Sequence, residues 1–183
     1  MQINTVYLDM DGVITDFVSG FEQLAIRKGY KKNSEIYKNW SIEGDWGITK
    51  SQFWHAIHGE GSTFWANLPK YPYSDSLVNI IKASGKELFI LSTPSHKPSS
   101  WAGKVEWIRL HYPQLISKTI LTEHKYLLAK PGTLLIDDKP ENCKKFRENG
   151  GSSYMWSQPW NTEEDSPFLD NHEQIKLVQS FLK

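Results

Sequence analysis

Two aspartates close a short apolar run near the start of the chain. In "TVYLDMDGVITDF", residues 5–17, Asp9 and Asp11 follow Thr5, Val6, Tyr7 and Leu8. A run this short and apolar suits a buried strand. Alternation along extended backbone sends both carboxylates to one side, where they repel each other unless something positive lies between them. Gly12 allows the sharp turn that follows. Three more apolar runs end in polar groups: "LFIL" in Ser92 and Thr93, "KTILT" shortly before Lys125, and "TLLI" in Asp137 and Asp138. The chemistry that uses such a set is phosphoryl transfer. A carboxylate attacks phosphorus, a divalent cation shields the charge, hydroxyl and ammonium donors hold the phosphate oxygens, and a second acid serves the leaving group.

These groups need a scaffold that brings strand ends together. Besides the first strand, the apolar segments 86–93, 118–122, 132–138 and 152–156 read as strands. Helical patterns fall at 74–84, 100–112 and 139–150, with a last amphipathic helix at about 171–182. Ser74 is expected to cap the first of these, and Gly150 and Gly151 to end the third. Strands alternating with helices predict an α/β fold, a parallel sheet covered on both faces that gathers its strand ends at one edge. Residues 13–73 break the alternation with helix-like pieces and no evident strand. They are expected to form a small helical cap inserted after the first strand, with 1–12 and 74–183 as the core. Twelve of the 24 aromatic residues lie between positions 17 and 73.

The bulk properties narrow the class. At 183 residues the chain is expected to be one domain with an insertion. Lysine plus arginine (21) equals aspartate plus glutamate (21), so no bulk positive field favours a long nucleic acid or an anionic membrane. Cys143 is the single cysteine, which excludes an internal disulfide. No apolar run approaches the roughly 20 residues of a membrane helix, and Asp9 and Asp11 interrupt any signal-like start. A soluble, cytoplasmic protein is expected. His55 and His58 have metal-like spacing but no third ligand beside them, and read as surface or packing residues.

In this order, "DMDGV", "LFILST", Lys125 and "LIDD" resemble the four motifs of the haloacid dehalogenase (HAD) superfamily over roughly residues 4–160. More narrowly, "DMDGVITDF", Ser92-Thr93-Pro94, and Lys104 with Trp107 are similar to the 5'(3')-deoxyribonucleotidases. The tail "SQPWN" (157–161) resembles later positions in bacterial and viral relatives. The resemblance implies a Rossmann-like three-layer sandwich with a central parallel sheet, and a magnesium-dependent phosphatase acting on nucleoside monophosphates. It implies Asp9 as nucleophile and Asp11 as general acid and base. Mg2+ would sit on the Asp9 carboxylate, the Asp11 backbone carbonyl and one of the two following aspartates; Asp138 is favoured, with Asp137 orienting it or bound waters. Ser92 and Lys125 would hold the phosphoryl group, and Thr93 and Lys104 would add contacts. Phe17 would face the nucleobase; apart from the resemblance, Phe64 and Trp65 in "STFWANLP" are candidate ligand contacts, and the other aromatics of 13–73 are expected to form core. Deoxyribo and pyrimidine substrates would be preferred.

Two positions depart from that pattern. Glu123 stands where the eukaryotic enzymes carry an arginine two residues before the lysine, and Ser92-Thr93 reverses their Thr-Ser. The alternatives are a HAD phosphatase for sugar phosphates or nucleic-acid 3'-phosphate ends, and a non-catalytic nucleotide-binding protein. The expected partner is a small-molecule nucleotide; a homodimer stays open.

Overall fold

Five strands form the centre of the computed structural model, which describes residues 2–33, 41–162 and 169–183: β1 (Thr5–Leu8), β2 (Glu87–Ser92), β3 (Thr119–Leu121), β4 (Thr133–Asp137) and β5 (Ser152–Met155). All pair in parallel, in the order β3-β2-β1-β4-β5. The central strand β1 sets Val6 against Leu88 on one side and Leu134 on the other. Strand alternation then sorts the apolar residues. Val6, Leu8, Leu88, Ile90, Leu134 and Ile136 join the larger core, whereas Tyr7, Leu91 and Leu135 pack with Phe146 on the other face. The larger face is covered by α4 (Ser74–Ala83), α5 (Pro98–His111) and α7 (Asn171–Phe181), and the opposite face by α6 (Pro140–Glu148). This is the expected three-layer α/β fold.

The helix ends follow local rules, with one correction. Gly150 takes φ +90°, and the Gly150 and Gly151 N–H groups return to Arg147 and Phe146, ending α6 as expected. Ser74 does not cap α4. The helix begins at Ser74 with Tyr73 in the cap position, and the Ser74 hydroxyl donates to the Ile14 carbonyl at 2.8 Å. A buried carbonyl on the neighbouring chain segment claims the hydroxyl.

Between β1 and α4 lie α1 (Phe17–Arg27), a 3-10 turn (Ile42–Trp46), α2 (Lys50–Gly59) and α3 (Ser62–Ala66). The chain leaves and returns side by side: Asp16 N–H donates to Pro69, Tyr71 N–H donates to Ile14, and Thr15 bridges Lys70. Phe21, Phe53, Phe64 and Trp65 of this segment are continuous with the larger core. Helix α3 lies directly on α5 at Gly103, where a Cβ would come within 2.4 Å of the Ser62 carbonyl oxygen. Among the described residues no helix is long and apolar enough to cross a membrane.

Candidate active site

The carboxyl ends of β1, β2 and β4, with the turn after β3, converge on one acidic centre. Asp9, just beyond β1, is fixed by its backbone N–H to Ile136 of β4 at 3.0 Å. Lys125 opens a 3-10 turn after β3 and is 2 % exposed. Its Nζ lies 2.8 Å from Asp9 Oδ1 and donates to Asp137 Oδ2 at 2.7 Å. Burial opposes the lysine charge, but Asp137 and Asp9 together hold its pKa above the ordinary lysine range. Burial pushes the Asp9 carboxyl up to about 6; Lys125 opposes the rise, and Asp137 and Asp11 add to it. Asp9 Oδ1 is buried and, although ion-paired with Lys125, accepts no hydrogen bond of proper geometry among the described residues.

At the end of β4 the two aspartates play different parts. Asp137 is saturated: Oδ1 accepts the Lys139 backbone N–H at 2.9 Å, and Asn142 donates to both carboxylate oxygens. These donors lie at the start of α6, where the helix terminus favours negative charge. Asp138 accepts the Trp160 indole N–H on Oδ2 at 2.9 Å and rests against the turn at Gly12. A Cβ on Gly12 would fall 2.0 Å from that same oxygen, and Gly12 also has φ +77°, so the position suits glycine on both counts. Burial first, then Asp137 and Asp9, raise the Asp138 pKa well above the carboxylate range.

Oxygens of Asp9, Asp137 and Asp138 lie within 4.8 Å of one another, and among the described residues this is the one cluster able to hold a metal ion. Three buried carboxylates, one of which (Asp9) has an oxygen without a hydrogen bond among the described residues, are a hard-oxygen donor set that fits a divalent cation such as Mg2+. The Asp11 side chain lies outside this cluster. Its Oδ1 accepts from Thr15 at 2.9 Å and its Oδ2 from Lys104 at 2.5 Å.

Lys104 projects from α5, is fully buried, and also donates to Ser92 Oγ at 3.0 Å. Its ammonium sits 5.1 Å from the centre of the Trp65 ring. One lysine therefore ties together the second aspartate, the hydroxyl ending β2 and the aromatic segment. Thr93 is exposed and donates to the Thr122 carbonyl, holding the ends of β2 and β3 together. Phe17 is half-buried, with ring centres 5.6 Å from Phe64 and 5.7 Å from Trp65. Phe64 and Trp65 are themselves core residues at 7 % and 2 % exposure, and the Trp65 indole N–H has no partner among the described residues. His58 stacks on Trp54, and its Nε2 lies 3.4 Å from Ser95 Oγ. Glu123 is exposed and lines a cleft with Lys125, Tyr126, Asn142 and Lys145.

The structure thus brings Asp9, Asp11, Ser92, Lys104, Lys125, Asp137 and Asp138 to one edge, with Trp65 against Lys104 and Phe17 against Trp65. It adds supporting residues that the sequence did not single out: Thr15 on Asp11, Asn142 on Asp137 and Trp160 on Asp138. Only "SQPWN" carried a signal, and it gave no role.

Residues 2–172 match the family described as 5' nucleotidase, deoxy (pyrimidine), cytosolic type C protein. The putative 5'(3')-deoxyribonucleotidase R824 of Acanthamoeba polyphaga mimivirus is 32% identical over 143 residues, a match covering 73% of this chain and 62% of that protein. The chain therefore spans less than two thirds of this relative. The cytosolic-type 5'(3')-deoxyribonucleotidase of Homo sapiens is 26% identical over 147 residues, covering 73% of this chain and 70% of that one. Among solved structures, the haloacid dehalogenase-like hydrolase SP0104 from Streptococcus pneumoniae superposes with a TM-score of 0.60 at 13% identity, covering 98% of each chain. The putative HAD-hydrolase YfnB from Bacillus subtilis does so with a TM-score of 0.60 at 12% identity, covering 100% of each. These likenesses show the HAD-like fold.

Proposed function

The chain belongs to the 5' nucleotidase, deoxy (pyrimidine), cytosolic type C family, and from that membership and its acidic strand-end site we propose that it is a cytoplasmic phosphatase hydrolysing nucleoside monophosphates. The observation that carries this reading is the buried Asp9 carboxylate, ion-paired with Lys125 and ringed by Asp137 and Asp138. Asp9 attacks phosphorus, and the departing alcohol takes a proton from Asp11. Asp11 then removes a proton from water, which cleaves the aspartyl-phosphate and restores the Asp9 carboxylate. Ser92, Lys104 and Lys125 are the donors for the phosphoryl oxygens. Thr15 and Lys104 hold Asp11 from two sides, fixing where its proton is delivered.

Four carboxylates (Asp9, Asp11, Asp137, Asp138) face two ammonium groups (Lys104, Lys125) in this site, which leaves excess negative charge where a phosphate dianion must also bind. Asp9 and Asp138, with Asp137 alongside, are the side chains that would hold Mg2+. Bound there, it would offset this charge and polarise a phosphoryl oxygen. The putative HAD-hydrolase YfnB was solved bound to magnesium, which supports the choice of ion.

The helices of 13–73 serve as a cap over the core formed by 1–12 and 74–183, and the half-buried Phe17 offers its ring to the base. The human relative, named as a 5'(3')-deoxyribonucleotidase, supports deoxyribonucleotides as the substrate class. The test is turnover of dUMP, dTMP, dCMP, dAMP, dGMP, UMP, glycerol phosphate and a hexose phosphate, with Mg2+ and with EDTA, for the parent and for Asp9→Asn. Nucleotides should be preferred, and both EDTA and the substitution should abolish turnover. Full activity in EDTA, or a tenth of parental turnover in Asp9→Asn, would sink the mechanism.

A further inference from the structure

We propose that Trp160 is a positioning residue for metal binding: its indole N–H holds Asp138 Oδ2 and so presents Asp138 Oδ1 to the cation that Asp138 would share with Asp9. The inference rests on the reading of this acidic cluster as a divalent-cation site. Asp138 is 3 % exposed, and among the described residues the Trp160 N–H is the one hydrogen bond its carboxylate receives. A Cβ built on Gly12 would fall 2.0 Å from that same Oδ2 and 3.1 Å from Oδ1, so Oδ1 is the less enclosed of the two on that side and, among the described residues, the one without a hydrogen-bond donor.

The donor is well chosen. Asp9 and Asp137 both repel Asp138, so an unrestrained side chain would swing away from them. A lysine or arginine would hold it but would compete with the cation by neutralising it. The indole is a donor without charge, so it fixes the carboxylate and leaves its negative charge in place.

The segment bearing Trp160 is fastened to both halves of the site. Gln158 donates its amide to the Gly12 carbonyl at 2.6 Å, and Asn161 donates to the Asp138 carbonyl at 2.6 Å and to Trp156 at 2.8 Å. The Gln158 backbone N–H returns to Asn161 Oδ1. Beneath them the buried Gln174 of α7 accepts the Ser157 N–H and donates to the Ser157 carbonyl. The indole therefore approaches Asp138 from a braced loop, and its reach is set by the turn after β1 and by the last helix.

The test is titration of the metal-free full chain with Mn2+, reading unbound Mn2+ by electron paramagnetic resonance, for the parent, Trp160→Phe and Trp160→His. Trp160→Phe should weaken Mn2+ binding by about 10- to 100-fold, the range for loss of a group that orients a metal ligand. Its melting temperature in EDTA should stay close to the parental value. Trp160→His, which restores a ring N–H, should recover part of the affinity. In 15N-labelled parent protein, Mg2+ should also shift the Trp160 indole N–H resonance, a readout that stands even if Trp160→Phe does not fold. Parental Mn2+ affinity in Trp160→Phe, or an indole resonance unmoved by saturating Mg2+, would overturn the inference and leave the metal site standing. A parent protein that binds neither ion would overturn both.

Discussion

Lys104 and Asp11 meet at 2.5 Å although 93 residues separate them, one on α5 and the other on the turn after β1. The same ammonium bonds Ser92 and faces the Trp65 ring, so it links Asp11, the end of β2 and the aromatic segment. Replacing it by methionine keeps the apolar stem and removes the charge. Lys104→Met should lower kcat by about 10²–10³-fold, the usual effect of deleting one donor to a developing anion. Steady-state kinetics check this, and a change under threefold would mean that Lys104 only packs.

Phe17 keeps partly exposed surface where Phe64 and Trp65 are enclosed, and the proposed function sets that surface against the base. Stacking of a base on an aromatic ring contributes about 1–3 kcal/mol. Phe17→Ala should therefore cut kcat/KM for the best nucleotide by about ten- to a hundredfold and leave glycerol phosphate nearly unchanged. An equal loss for both substrates would place Phe17 in the scaffold instead.

Metal and pH are linked through the raised carboxyls. Burial, with Asp137 and Asp11, pushes Asp9 up to about 6 against the pull of Lys125, and Asp138 is raised by burial, Asp137 and Asp9. A carboxyl with a higher pKa when folded binds its proton more tightly in the folded state. Its contribution to stability is then complete below about pH 4 and lost as pH rises through about 6. In EDTA the melting temperature should accordingly carry a component that falls over this window. Mg2+ should restore it at neutral pH and help least at the acid end. Differential scanning fluorimetry across pH with both additives checks this; a Mg2+ effect that grew toward acid would contradict it.

Gly103 sets the closeness of α3 to α5. A Cβ there would lie 2.4 Å from the Ser62 carbonyl oxygen and 2.6 Å from Trp65 Cβ, contacts that neither helix relieves without moving. Gly103→Ala should destabilise the protein by about 1–3 kcal/mol, the usual cost of overpacking. Denaturant unfolding measures this, and parental stability would show that α3 shifts freely.

Much of this was legible because the fold is written in local pattern. The apolar runs at Val6–Leu8, Leu88–Leu91 and Leu134–Ile136 are strands, and the polar residues ending them meet at one edge because parallel pairing leaves no alternative. What escaped depends on approach through space. No local rule says that Trp160 returns to Asp138, that Asn142 turns back onto Asp137, or that Thr15 holds Asp11. The Ser74 hydroxyl, expected at a helix cap, bonds Ile14 for the same reason, since its partner lies 60 residues earlier. Phe64 and Trp65 illustrate the limit of composition, which counts aromatics but does not say which keep surface.

The position of β1 has a consequence for how the protein is made. Of the five described strands the earliest in the chain is the middle strand of the sheet, and its two neighbours are β2 and β4. One edge of β1 waits for Glu87–Ser92 and the other for Thr133–Asp137, so the nascent chain keeps at least one edge of β1 unpaired until β4 has been made. Asp9 gains the company of Asp137 only when the second edge closes. The acidic cluster of Asp9, Asp137 and Asp138 is therefore assembled by the pairing of β4 with β1 and not by any local turn.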